Sequence, residues 1–203
     1  MEDEAASNTL SAAEIRKIKR GERNALPARL QEEHSNCLQQ LVIQEKTYKN
    51  SQHIACYIAN DGEIDPLKII EHAWFNNKDV YLPILSPLKN SLYFAAYTRN
   101  SKFRLNRFNI PEPVCHPSQW KKANQLDLLL LPLVAFDASG NRIGMGGGFY
   151  DRTLAYMQHR QHWKKPALIG LAHEMQKAVQ LDRHSWDIPL DLIITEKQRY
   201  NAK

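Results

Sequence analysis

No run of this chain approaches the roughly 18 consecutive apolar residues that a membrane-spanning helix needs, so a transmembrane protein is not expected. A secretory leader is not expected either. Such a leader opens basic and then turns apolar, whereas Met1-Glu-Asp-Glu4 is acidic. The expected address is therefore cytoplasmic. Cysteine is scarce: Cys37, Cys56 and Cys115 are far apart and form neither a C-x-x-C pair nor a zinc-ligand pattern. They read as free thiols of a reducing compartment. No Ser-His-Asp or Cys-His arrangement is visible, which argues against a protein nucleophile. His159 and His162 lack any metal-binding context, and His173, just after an apolar run, reads as structural. Glycine is sparse too, at 8 of 203 residues.

What is present belongs to an ordinary globular protein. Hydrophobic residues make up 43% and charged residues 24% of the chain. Its 203 residues can bury a sizeable core. The net charge of +5 suits nucleic acid or an anionic metabolite. Aromatic and basic residues are not interleaved as in RNA-binding motifs, so an anionic small molecule is favoured and neither nucleic acid nor membrane is expected as a partner. No long amphipathic seam demands a second copy, and a monomer is expected.

Residues 1–10 are polar and read as a disordered N-terminus, with residues 11–203 as a single domain. Ser11 and Glu14 have the spacing of a capping box, which predicts a helix to about Ala25. That helix carries Arg16, Lys17, Lys19, Arg20 and Arg23, as a solvated face or as an arm reaching for phosphate. Pro27 opens a second helix with Leu30, Cys37, Leu38, Leu41 and Val42 at helical spacing. Strands are expected at 53–59, 80–85, 92–97, 103–105, 125–136, 167–172 and 192–195. Helices are expected at 65–76, 151–162 and 174–180. Alternating strands and helices, with an unalternating run at Leu128-Leu-Leu-Leu131, predict an α/β three-layer sandwich. It would have a largely parallel central sheet, helices on both faces and an N-terminal helical arm. Ligands of such sheets sit beyond the carboxyl ends of the strands. Residues 60–63, 83–87, 144–148 and His173 follow strands directly and should share one rim.

Half of the glycines lie in one place, at Gly144, Gly146, Gly147 and Gly148. Such a loop opening onto a helix points main-chain N–H groups at one spot, a ready site for phosphate. It also reads as a plain structural turn. It lacks the Gly-Lys-Ser/Thr ending of a P-loop and the third glycine of a dinucleotide fingerprint. Arg142 adds positive charge beside it, and Asp151 adds a carboxylate able to hold a metal.

Several segments in order resemble the 5-formyltetrahydrofolate cyclo-ligase family. They are Asp61-Gly-Glu-Ile-Asp65, Val80-Tyr-Leu-Pro-Ile-Leu85, Asn109-Ile-Pro-Glu-Pro113 and Leu126-Asp-Leu-Leu-Leu-Leu-Pro-Leu-Val-Ala-Phe-Asp137. Gly140-Asn-Arg-Ile-Gly-Met-Gly-Gly-Gly-Phe-Tyr-Asp-Arg152 is the most specific, and Trp186-Asp-Ile-Pro-Leu-Asp191 closes the set. The resemblance spans roughly residues 12–200. It implies an ATP- and Mg²⁺-dependent enzyme that closes 5-formyltetrahydrofolate, with or without a polyglutamate tail, to 5,10-methenyltetrahydrofolate. ADP and phosphate would leave, and the formyl oxygen would be phosphorylated on the way, as an iminium phosphate.

The resemblance further implies roles for particular residues. ATP would be bound by Arg16, Arg142, Ile143, Gly144, Met145, Gly146, Gly147, Gly148, Phe149 and Tyr150. Folate would meet Ile58, Glu63, Phe108, Met145 and Tyr150. Arg142 and Tyr150 would be catalytic, and Asp151 and Asp191 would hold magnesium. The chain departs from the pattern at Met145 and Gly147, where many relatives carry basic residues. It departs again at Ala12, where a lysine is usual; Lys17 or Arg20 is its expected substitute.

Overall fold

The computed structural model describes residues 10–159 and 165–201. The expected disorder of residues 1–10 and the expected helix end at 160–162 fall almost wholly outside these. Helix α1 spans Ala12–Asn24 and begins with the capping box read from sequence. Glu14 accepts from the Ser11 backbone at 2.8 Å, and Ser11 Oγ accepts from the Glu14 amide at 3.3 Å. Helix α2, Ala28–Gln44, follows Pro27 and turns Ser35, Leu38 and Val42 inward. Leu30 and Cys37, expected on that face, are exposed instead. The spacing held, but the stripe is centred on Leu38. Helices α3 (Lys46–Asn50) and α4 (Leu67–Phe75) complete the layer.

One sheet of eight strands forms the middle. Its strands are β1 (His53–Ala55), β2 (Asp79–Leu85), β3 (Leu92–Tyr97), β6 (Trp120–Lys121), β7 (Leu128–Pro132), β10 (Ala167–Leu171), β11 (Leu192–Ile194) and β12 (Arg199–Asn201). The hairpin β4 (Lys102–Leu105) with β5 (Pro111–Val114) stands apart, as does β8 (Ala135–Phe136) with β9 (Arg142–Ile143). The sheet order is β12-β11-β10-β7-β1-β2-β3-β6. The five strands from β11 to β2 are parallel, and β12, β3 and β6 run antiparallel at the edges. The largely parallel sheet expected from sequence is therefore present.

Leu128 to Leu131 show why the run does not alternate. Leu128 and Leu130 pack under α2, α3 and α4, and Leu129 and Leu131 pack on the other face. All four are buried, and each contributes about 2 kcal/mol by leaving water. The second face is covered less regularly: helix α5 (Phe149–Leu154), 3-10 turns at Ala123–Gln125 and Ala155–His159, and Ile188 with Leu190. Strands β5, β6, β9 and β12 were not expected. Two prolines disguise β5, which sits at a sheet edge where proline is tolerated. The first strand is shorter than read because the chain leaves the sheet after Cys56, whose amide still bonds the Tyr81 carbonyl at 2.9 Å. The helix expected at 174–180 is one 3-10 turn, Glu174–Gln176.

Candidate functional site

The carboxyl ends of β1, β2, β7 and β10 define one rim, and α1 lies across it. Arg16, Lys19 and Arg23 recur at helical spacing and face inward. Arg16 Nε donates to the Gly144 carbonyl at 2.8 Å, Lys19 Nζ to the Met175 carbonyl at 2.6 Å, and Arg23 Nη1 to the Leu133 carbonyl at 3.0 Å. One side of the basic run thus holds the rim, while Lys17 and Arg20 lie exposed. Arg23 is wholly buried, which the charge run did not foretell.

Around Arg23 two carboxylates have opposite fates. Asp61 sits in a turn where both Asp61 and Gly62 have positive φ. Its carboxylate receives Arg20 at 2.6 Å, Arg23 at 2.9 Å and Asn24 at 3.0 Å. The hydrogen bond from Arg20 leads in lowering its pKa to about 2. Glu63 is largely but not wholly buried, and its oxygen lies 3.8 Å from Arg23 Nη2, which already serves Asp61. Burial outweighs the attraction and raises its pKa to about 7. Its charge joins burial in pushing the Tyr57 and Tyr150 phenols upward, so both remain donors at neutral pH.

His173 is also fully buried and has the reverse shift, to about 4, because burial disfavours its charged form. These shifts predict a pH profile. Glu63 holds its proton in the folded state up to about 7 but loses it unfolded near 4.5, so its contribution to stability falls as pH rises across that window. His173 protonates near 6.5 when unfolded and only near 4 when folded, so its contribution rises with pH between those values. The two slopes oppose each other. Urea midpoints of Glu63→Gln should therefore climb between pH 4.5 and 6.5 more steeply than those of the native chain. An unchanged profile would disprove the assignment.

The glycine loop is built for access. Gly146 and Gly148 have positive φ, at 93° and 60°, which side-chain-bearing residues rarely adopt. Among the hydrogen bonds of the described residues, no amide of residues 144–148 donates to a protein acceptor. The loop carbonyls are the occupied groups: Arg16 holds that of Gly144, Arg152 Nη2 that of Gly147, and the Arg152 amide that of Gly148. Arg152 Nε is itself anchored on the Asn90 carbonyl at 2.6 Å. Two guanidinium groups therefore pin the loop by its acceptors and leave its donors unspent.

Arg142 opens β9 of the β8–β9 hairpin, opposite Phe136, and donates to Asp151 Oδ1 and to the Ile188 carbonyl. Its charge acts on Tyr150, which brings Arg142, Tyr150 and Glu63 into one electrostatic neighbourhood. Ile143 is buried beneath the loop, and Met145 is half-exposed, its sulfur 4.0 Å from Arg23 Nη2. Phe108 is half-exposed rather than core and meets Phe149 edge-on, with centroids 5.7 Å apart. Ile58 lines a separate cleft of about 380 Å³ with Tyr57, Ala59, Tyr97 and Phe103, a size suited to a flat ligand.

Asp191 is not brought to Asp151. Its amide bonds the Leu168 carbonyl, and its Oδ2 accepts from the Leu168 amide, both at 2.9 Å. That is the amino end of β10, away from the rim, because Asp191 enters a parallel strand rather than leaving one. The carboxylate that reasoning from sequence missed is Asp187. It borders a small cleft with Arg142 and Ile188. Its adjacency to the carbonyl that Arg142 bonds was invisible in a linear motif.

Comparison with known proteins accords with this geometry. A sequence profile of the 5-formyltetrahydrofolate cyclo-ligase family matches residues 8–196. The 5-formyltetrahydrofolate cyclo-ligase of Haemophilus influenzae is 40% identical over 185 residues, covering 89% of this chain and 94% of its own. That of Escherichia coli K12 is 43% identical over 143 residues, covering 70% and 76%. Among solved structures, the Aquifex aeolicus 5,10-methenyltetrahydrofolate synthetase superposes with a TM-score of 0.80 at 26% identity, covering 96% of this chain and 94% of that one. With rim, loop and flanking sequence all in agreement, the chain belongs to the 5-formyltetrahydrofolate cyclo-ligase family.

Proposed function

We propose that this chain converts 5-formyltetrahydrofolate to 5,10-methenyltetrahydrofolate in the cytoplasm, consuming ATP and releasing ADP and phosphate. One observation carries the reading: the glycine loop keeps its amides unspent while arginines hold its carbonyls. A formamide oxygen is a poor leaving group. Phosphorylating it requires positioning and neutralisation of phosphate charge more than a protein nucleophile. In this reading the amides of residues 144–148 receive phosphate oxygens, and Arg16 and Arg142 neutralise them. Once the formyl oxygen is phosphorylated, N10 of the folate attacks the same carbon and phosphate departs.

Arg142 and Asp151 neutralise each other in this structure. A nucleotide with its cation offers each a new partner of the right sign: phosphate for the arginine, metal for the carboxylate. Magnesium commonly binds one or two protein carboxylates together with phosphate oxygens and water, and would add charge neutralisation. Asp151 fits that need, with Asp187 as the second candidate in place of Asp191. Glu63 accepts hydrogen bonds from the folate ring system, Tyr150 donates, and Ile58 and Phe108 offer apolar surface.

The test is direct. Purified protein with Mg²⁺, ATP and 5-formyltetrahydrofolate should develop the absorbance of the methenyl product. The signal should disappear with EDTA and fall at least tenfold in Asp151→Asn. ATP binding without any product would refute the reading.

A further inference from the structure

A second cluster of ligating groups lies beneath the arm, outside the machinery proposed above. His34 on α2, His173 after β10 and Glu196 between β11 and β12 point ligand atoms at one another, all within 4.8 Å. His34 Nδ1 and His173 Nδ1 are 2.9 Å apart, and Glu196 Oε1 is 3.7 Å from His34 Nδ1. We propose that these three side chains form a site for a divalent transition metal of the zinc, cobalt or nickel class, distinct from the magnesium of the glycine loop.

The geometry suits such an ion. Zinc–nitrogen bonds are roughly 2.0–2.1 Å, so nitrogens 2.9 Å apart subtend about 90° at a shared ion. Widening the gap by about 0.4 Å reaches the tetrahedral angle, a small side-chain rotation. A water completes four ligands, and His34, with 21% of its side chain exposed, lies on the solvent path.

Supporting groups are already in place. The other Glu196 oxygen accepts from the Glu174 amide at 2.8 Å, which fixes the carboxylate as an outer-shell bond does in metal centres. His173 is wholly buried, so the ring that offers Nδ1 to the cluster is held by its surroundings. Two imidazoles and one carboxylate favour zinc-like ions over magnesium, so the reaction's own cation does not compete. Occupancy would tie α2 to the segments after β10 and β11.

The test uses the full chain, without a histidine tag, in excess Mg²⁺. Titration with Co²⁺ should give visible bands of low-coordinate N/O ligation, saturating at about one equivalent. Zn²⁺ should displace the cobalt and raise Tm by roughly 5 °C at saturation. His34→Ala and Glu196→Gln should each weaken cobalt binding at least tenfold, whereas Asp151→Asn should leave the bands intact. If one of the first two fails to fold, the other decides. Absent bands, bands retained in the folded His34 or Glu196 variant, or bands lost in Asp151→Asn would each overturn the assignment.

Discussion

Gly146→Val should weaken ATP binding by about a hundredfold while leaving the fold intact. At φ 93° a β-branched residue is strained by roughly 1–3 kcal/mol, so the loop must move to relieve it. Its added side chain also points towards Arg16, whose guanidinium carbon lies 3.6 Å from the first added carbon. Either response displaces the amides or the guanidinium proposed to receive phosphate, and about 1.4 kcal/mol of lost binding is tenfold. Gly144→Ala is the informative contrast. Gly144 has no positive φ, and an added carbon there meets nothing within 4 Å. It should shift affinity far less. Calorimetric titration with ATP, with circular dichroism as the folding control, measures both. Equal effects from the two substitutions, or none from Gly146→Val, would remove the loop from nucleotide binding.

Arg23→Met should cost about 3–5 kcal/mol of folding stability, the largest loss expected from any substitution in α1. The side chain is fully buried and ties Asp61, Glu63 and the Leu133 carbonyl together. Methionine keeps much of the volume and removes all of the charge. Leu133 then loses a donor, and Glu63 loses the cation that moderates its desolvation, so its pKa should rise above about 7. Asp61 retains Arg20 and Asn24, which limits the damage there. Urea denaturation gives the stability directly. A loss below about 1 kcal/mol would mean that water substitutes for the guanidinium, and the buried-network account would fall.

The sheet was largely legible because β7, β10 and β11 at its centre are buried on both faces and carry no polar residues to confuse the pattern. Leu128 to Leu131 could hardly be anything else. The capping box at Ser11 and Glu14 was legible because it is a local bond between residues three apart. What stayed hidden depends on contacts between distant segments. Two prolines masked β5, since its partner strand, which makes it an edge, is six residues upstream. Arg23 looked like any other residue of a basic run until Leu133 and Asp61 closed around it. Asp191 and Asp187 are four positions apart in a single motif. Only the direction of β11 shows that the first faces the amino end while the second stays beside Arg142. The glycine loop was found at once, but which of its groups are occupied was not, because Arg16 and Arg152 approach from elsewhere.

Helix α1 is seated by residues much further along the chain: Lys19 reaches Met175 across 156 positions, and Arg16 reaches Gly144 across 128. Such long-range closures come late and slowly in folding. A nascent chain that has not yet emerged past residue 175 lacks the carbonyl that receives Lys19, so this helix cannot yet seat fully. If the glycine loop binds nucleotide as proposed, competence to do so should arrive only after that later segment is in place.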